Sequence, residues 1–324
     1  MSFSTLIITH GREELLRKSL TSLSGIQVNW QLVIVCNGIP LSSELIELAK
    51  TLTPDHVILD LPQRLGPGKA RNAGLSKCQH EWIFFLDDDA FLPSRYFHIA
   101  LPLLAKDTID IFGGPDAPAP EMSSFSTALA LSLSSPFCTG STFMRHKSVG
   151  SELVRAKVDQ LTSCNLWIRR RFFEESSFPD DYARTEEVVL LTELENRGAR
   201  MFYHPKLQVF HHRRETLAEV TRPTFFAGFF RSKLMKQTKT KAHGMVIFWL
   251  PSVFVLLHVL VLFDPYTFFE LSRFYLALVL AMSLAITARE KKLSLIPMVM
   301  FLHWYIVFTY GVGFLAHRLR QPWK

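Results

Sequence analysis

Cysteine is scarce in this chain: four residues in 324, at positions 36, 78, 138 and 164, with no Cys-x-x-Cys pair and no metal-ligand spacing. That sets aside a disulfide-stapled scaffold and a zinc ribbon, and the thiols read as reduced, mostly buried side chains of a cytosolic domain. A basic n-region is missing as well. The opening, Met1 to His10, meets polar residues too soon for a signal peptide, so residue 1 is expected to stay in the cytosol. Neither an aromatic-basic RNA motif nor a zinc-finger spacing accompanies the formal charge of +7, which argues against a nucleic-acid partner. Charge itself is absent from Met245 to Phe263 and from Leu293 to Ala316, stretches of nineteen and twenty-four residues. Either can cross a hydrocarbon core about 30 Å thick, which takes about 20 helical residues.

Between those stretches, Phe268 to Ala288 is apolar apart from Glu270 and Arg273 near its start, charges that can pair or reach the membrane interface. Just before them, Arg213 to Lys241 holds eight Lys or Arg against two Glu, nearly the whole positive excess. Basic residues beside apolar spans favour an anionic membrane face. The basic run and Arg289 to Lys292 are expected on the cytosolic side. Two or three spans follow, at about 245–263, 268–288 and 293–316, the side of the C-terminus being left open because Arg318, Arg320 and Lys324 oppose a third crossing.

The first part of the chain has another texture. Short apolar runs at Thr5 to Thr9, Gln31 to Val35, His56 to Leu61, Trp82 to Leu86 and Ile109 to Phe112 alternate with amphipathic segments at roughly 12–24, 42–52, 68–78 and 93–105. Strands alternating with helices predict right-handed crossovers and a mainly parallel sheet covered on both faces. Ligands of such sheets bind beyond the carboxyl ends of the strands. Thr9, Asn37 and Asp87 to Asp89 all fall there. From 115 to 160 a Pro- and Ser-rich excursion with one short helix is expected, of a length that suits a mobile lid. Further strands are expected over Leu161 to Ile168 and Arg200 to His212, with a helix over Glu186 to Arg197.

The sharpest chemical signal is Trp82-Ile-Phe-Phe-Leu-Asp-Asp-Asp, a buried-strand pattern that ends in three adjacent carboxylates. Alternation along a strand lets Asp87 and Asp89 converge while Asp88 points elsewhere. Carboxylates this close repel unless a cation or donor groups neutralise them, and oxygen ligation suits Mg²⁺ or Mn²⁺ completed by substrate phosphates. A solvated acidic turn is the plainer alternative.

Taken together, several segments resemble family 2 glycosyltransferases with the nucleotide-diphospho-sugar transferase fold called GT-A, a Rossmann-like α/β fold. They are the first strand through Glu13, Leu32 to Gly38, Arg64 to Gly74 with its Ala-Arg-Asn-Ala-Gly, Leu86 to Asp89, Ser163 to Arg170, Thr185 to Leu190 and Pro205 to His211. The resemblance covers about residues 4 to 230, and Gly113-Gly-Pro115, the Gly140 to Arg145 stretch and the C-terminal spans are most similar to membrane-bound bacterial enzymes of exopolysaccharide assembly. It implies a catalytic domain over 1–230, a basic linker over 231–244 and a membrane domain over 245–324. It also implies donor binding by Thr9, Arg12, Asn37, Lys69, Arg71, Asn72, Asp87 and Asp88. Metal ligation falls to Asp87, Asp89 and His211, with His212 competing, and the catalytic base to Glu187 or its neighbour Glu186. Both glutamates could instead simply cap their helix. One of Arg169, Arg170 and Arg171 is expected to meet the diphosphate. Cys36 departs from the family, which often has Asp there, and Glu187 stands where Asp is usual.

The expected activity is inverting, metal-dependent transfer of a sugar from a nucleotide-sugar to a lipid-linked or polysaccharide acceptor. The expected place is the cytosolic face of a bacterial inner membrane, in a multi-pass protein. Transfer to polyprenyl phosphate and a non-catalytic nucleotide-sugar-binding assembly subunit are the rivals.

Overall fold

The computed structural model describes residues 2–237, 248–260 and 263–320. They form two compact units: residues 1–120 with 144–212, and residues 121–143 with 213–324.

In the first unit, β1 (Ser2–Thr9), β2 (Asn29–Asn37), β3 (His56–Leu61) and β4 (Trp82–Asp87) alternate with α1 (Glu13–Thr21), α2 (Ser43–Leu52) and α3 (Pro67–Leu75). Next come β5 (Ala90–Phe91), α4 (Tyr96–Leu104), β6 (Ile111–Gly113) and β7 (Asp116–Pro118). After the excursion, β8 (Val154–Arg155), β9 (Asn165–Arg169), α7 (Glu186–Asn196), β10 (Met201–Tyr203) and β11 (Val209–His211) complete the unit. The second unit holds α5 (Ser124–Leu133), α6 (Pro136–Thr139), α8 (Leu217–Gln237), α9 (Leu250–Leu260), α10 (Pro265–Arg289) and α11 (Ile296–Leu319).

The main sheet has the order β3-β2-β1-β4-β9-β6-β10-β8, and a small second sheet runs β5-β11-β7. The strands β3, β2, β1 and β4 are parallel, whereas β9 lies antiparallel between β4 and β6. The apolar runs become strands because both faces are covered. Along β4, Trp82, Phe84 and Leu86 enter one core, where Trp167 stacks on Phe84 at 4.5 Å and on Phe112 at 5.4 Å. Ile83 and Phe85 enter the other core, with Ala70 of α3 and Leu190, Leu191 and Leu194 of α7. The pleat thus sends Asp87 to the α3 and α7 face and turns Asp88 away from it.

In the second unit, α8 and α11 pack backbone to backbone. A Cβ at Gly228 would strike the Tyr310 carbonyl, and one at Gly313 would strike the Phe225 carbonyl. The buried side chains of α5, Ala128, Leu129 and Leu131, pack with Val220, Ile286, Val299, Leu302 and Ile306. Pro265–Arg289 and Leu293–Leu319 are the two described helices long and apolar enough to cross a membrane, with mean hydropathy 1.8 and 1.6. Asp264 caps the first of them through the Thr267 N–H at 3.1 Å, with Pro265 at its opening position.

Several sequence expectations change. The excursion contains α5, α6 and a 3₁₀ turn over Gly140–Arg145 rather than one short helix. The strand expected over Leu161 to Ile168 starts only at Asn165, because a turn closes from the Asn165 N–H to the Thr162 carbonyl. The strand expected over Arg200 to His212 is two strands in different sheets, separated at Pro205. The linker expected at 231 begins as helix: α8 continues to Gln237, with Arg231 and Leu234 buried, and residues 238–244 lie outside the described residues. The units divide at His212 and Arg213 rather than at 230. Of the first expected span, Leu250–Leu260 is helical, and residues 245–247, 261 and 262 lie outside the described residues, as does Lys324.

Candidate active site

The carboxyl end of β4 gathers the charged side chains of the first unit. Asp88 is fully buried, and the Arg12 guanidinium, from the turn after β1, pairs with both Asp88 and Asp89. Burial pushes the Asp88 carboxyl up to about 6, and Arg12 offsets only part of that. Burial would push Asp89 up too, but His211 and Arg12 outweigh it and hold this carboxyl below the usual range.

The small sheet explains why His211 is here. His211 pairs in register with Ala90, and the His212 N–H donates to the Asp89 carbonyl at 2.9 Å. This places the His211 Nε2 atom 3.0 Å from Asp89 Oδ1. Asp87, Asp89 and His211 each offer a ligand atom, all within 4.8 Å of one another. The donor set fits a divalent ion. Two carboxylates and an imidazole leave positions for water and phosphate oxygens.

On the α3 and α7 face of β4, the face of Asp87, Arg71 of α3 is buried. It pairs with Glu186, reaches Asp87 at 3.3 Å and donates to Ser163 Oγ at 3.1 Å. Only Gly fits at position 68 of the same helix, since a Cβ would collide with the Pro179 carbonyl. Glu187 pairs with Arg145 at 2.9 Å, and Arg145 is itself anchored to the Asp159 carbonyl at 2.8 Å. For Glu186, burial outweighs Arg71 and raises the carboxyl pKa. For Glu187, the burial penalty is overcome by Arg145, backbone N–H groups and Arg71, so its pKa is lowered. Thr185 opens α7 with φ of 63°, a left-handed conformation that costs a non-glycine residue about 1–2 kcal/mol. Strain of this kind collects at functional sites.

Other predicted residues take different places. Asn37 closes β2, and both ends of its amide engage Leu65: its Oδ1 accepts from the Leu65 N–H at 2.7 Å and its Nδ2 donates to the carbonyl at 3.1 Å. Asn72 fastens Phe178 in the same way, at 3.0 and 2.8 Å. Both amides act as staples between segments. Thr9 is buried at the end of β1, and Lys69 lies 3.7 Å from Asp180, both half-exposed. The expectation that one of Arg169 to Arg171 meets the diphosphate is not met by Arg169 or Arg171. Because β9 is antiparallel to β4, Arg169 pairs with Trp82, five register steps or about 16 Å from Asp87. Arg169 is buried against Glu81 and the Trp82 ring, and Arg171 pairs with Asp110 at 2.5 Å.

Two residues were missed. Arg145, the partner of Glu187, ends the Gly140 to Arg145 stretch that carries part of the resemblance, but nothing in that stretch singles out its side chain. Asp60 of β3 is in register with Cys36 and puts a carboxylate beside the position where the family often has one. Burial and Asp60 together push the Cys36 thiol up to about 12.

The glycosyl transferase family 2 profile matches residues 4–175. The chain belongs to glycosyl transferase family 2. A 101-residue segment is 40% identical to the amylovoran biosynthesis glycosyltransferase AmsE of Erwinia amylovora, covering 29% of this chain and 37% of that protein's length. The mannosyltransferase PcManGT from Pyrobaculum calidifontis, solved with GDP-Man and Mn²⁺, matches with TM-score 0.62 at 15% identity, over 97% of this chain and 86% of that one. TarS 1-349 from S. aureus, solved with UDP-GlcNAc, matches with TM-score 0.53 at 14% identity, over 100% and 93%. At such identities these structures share the fold, a GT-A domain.

Proposed function

We propose that this glycosyltransferase moves a sugar from a nucleotide-sugar to a hydroxyl of a lipid-linked saccharide, with inversion, in the synthesis of a cell-surface polysaccharide. The observation that carries the reading is the convergence of Asp87, Asp89 and His211 at the carboxyl end of β4, one guanidinium away from Glu186. The AmsE likeness supports the polysaccharide setting, and the ligands of PcManGT and TarS support a nucleotide-sugar donor.

Asp87, Asp89 and His211 would hold the Mg²⁺ or Mn²⁺ ion. When bound, the ion neutralises the diphosphate charge that develops as the sugar departs. Arg12 pairs with Asp89 of that set and with Asp88, and its half-exposed side chain is able to swing toward a phosphate once a cation replaces it. Arg71 holds Asp87 and Glu186 in fixed relation. Asp60 is the carboxylate available for the nucleoside where Cys36 offers none.

Glu187 is the proposed base for the acceptor hydroxyl, kept ionised by Arg145. Direct displacement needs one such base on the face opposite the leaving group, within about 3 Å of the proton it takes. Glu186 is the second candidate, favoured by the raised pKa that makes it the stronger proton acceptor. The two apolar helices would anchor the enzyme at a membrane, where a lipid-linked acceptor is held at high effective concentration. We place it at the cytosolic face of a bacterial inner membrane.

Membranes containing the protein, given a panel of labelled nucleotide-sugars with and without EDTA, test the reading. One label should enter the lipid fraction, and EDTA or Asp89→Ala should abolish that transfer. Transfer that persists in Asp89→Ala would refute the metal assignment. Full activity in both Glu187→Gln and Glu186→Gln would instead point to an acceptor that carries its own anion, such as polyprenyl phosphate.

A further inference from the structure

His211 has two ring nitrogens, and each faces a different set of ligands. Nε2 looks to Asp89, while Nδ1 lies 3.6 Å from Asp116 Oδ2. Cys164 Sγ is 3.7 Å from the same Asp116 oxygen. The ligand atoms of Asp116, Cys164 and His211 lie within 4.8 Å of one another. They come from the start of β7, the turn before β9 and the end of β11, so the two sheets lock them together. A tetrahedral zinc ion with bonds of about 2.0–2.3 Å needs ligand-to-ligand edges of about 3.3–3.7 Å. The two edges at Asp116 already have that length. The other Asp116 oxygen is held by His146 Nδ1 at 2.6 Å, the kind of outer partner that orients a ligating carboxylate.

We infer that Asp116, Cys164 and His211 form a second cation site, selective for a borderline-soft ion such as Zn²⁺, that shares its histidine with the Asp87 and Asp89 site. Thiolate with imidazole favours Zn²⁺ over Mg²⁺ or Mn²⁺, whereas a pair of carboxylates favours the hard ions. Binding exchanges the Cys164 S–H proton for the metal, and that proton leaves to solvent. A neutral imidazole carries one lone pair in its ring plane. With that lone pair on Nδ1, Nε2–H donates to Asp89 and the ring serves the Zn²⁺ site. With the lone pair on Nε2, Nδ1–H donates to Asp116 and the ring serves the other site. Zn²⁺ therefore withdraws His211 from the catalytic ion and inhibits the enzyme. The inhibitory consequence rests on the function proposed above; the second site itself does not.

Co²⁺ and Mn²⁺, used as probes on the detergent-purified full chain, separate the two. Stoichiometric Co²⁺ should give a thiolate-to-cobalt absorption band in the wild type. The band should vanish in Cys164→Ser, weaken about tenfold or more in affinity in Asp116→Asn, and persist in Asp87→Asn. One equivalent of Zn²⁺ should release bound Mn²⁺, read by electron paramagnetic resonance, from the wild type but not from Cys164→Ser. A missing thiolate band in the wild type, or equal Co²⁺ affinity in Asp116→Asn, which keeps the shape of the side chain, would overturn the site. Zn²⁺ that binds without releasing Mn²⁺ would overturn the shared histidine. A cobalt band in a protein that never binds Mn²⁺ would uphold the second site and refute the proposed catalytic one.

Discussion

Asp87 to Asp89 and the Glu186–Glu187 pair are both acidic groups answered by arginine, but the arginines differ in freedom. The Arg12 side chain is 48% exposed and leaves from a turn, whereas those of Arg71 and Arg145 are 9% and 11% exposed and tied to further partners. A half-exposed counter-ion is held weakly and can be exchanged. A buried one cannot be removed without stranding a charge. On the proposed reading the first group trades Arg12 for a metal ion, and the second keeps its geometry.

Mutation can break that contrast. The largest expected effect is on catalysis: Glu187→Gln should lower kcat by about 10²–10⁴ with little change in donor KM, the usual range for losing a general base. An equal loss in Glu186→Gln alone would move the role to Glu186. Next, Arg71→Leu strands Glu186 and should destabilise the fold by about 3–5 kcal/mol in denaturant titration. A loss under 1 kcal/mol would show the pair to be exchangeable after all.

Arg145→Leu should act through pH. Arg145 keeps the Glu187 pKa below the ordinary glutamate value of about 4.3. With Glu187 as the proposed base, the acid limb of the wild-type rate profile should lie below that value. Glu187 also contributes stability that is complete above about pH 4.3 and is lost as pH falls through the lowered folded pKa. Without Arg145, burial dominates, and the limb should move to higher pH. An unmoved limb would contradict the pairing. The smallest effect is expected from Arg12→Ala. Removing an exchangeable competitor should tighten Mn²⁺ binding a few-fold in calorimetry, and weaker binding would show that Arg12 supports the ion site rather than competing for it.

The contrast also marks what the sequence could disclose. β1, β2 and β4 were legible because their apolar residues are buried on both faces, β3 because it is a short, mainly apolar run although it is only partly buried and carries Asp60, and the acidic triplet because it ends one of them. The order of the mixed half of the sheet was not, since β6, β8 and β10 are two or three residues long. Arginine partners stayed hidden for another reason. Arg71 and Glu186 are 115 residues apart, and Arg145 and Glu187 are 42 apart, so no spacing betrays them. One short helix is legible in the excursion, but the packing of α5 is not, because its partners Val299, Leu302 and Ile306 come from the far end of the chain. Cysteine spacing could not reveal a site in which Cys164 meets Asp116 and His211 only through the junction of two sheets.

Direct titration of the full chain with Mn²⁺ in the presence of a nucleoside diphosphate, followed by electron paramagnetic resonance, tests the central claim most closely. One ion should bind per chain, and binding should be lost in Asp89→Ala and weakened in His211→Ala. Unchanged Mn²⁺ binding in Asp89→Ala would contradict it.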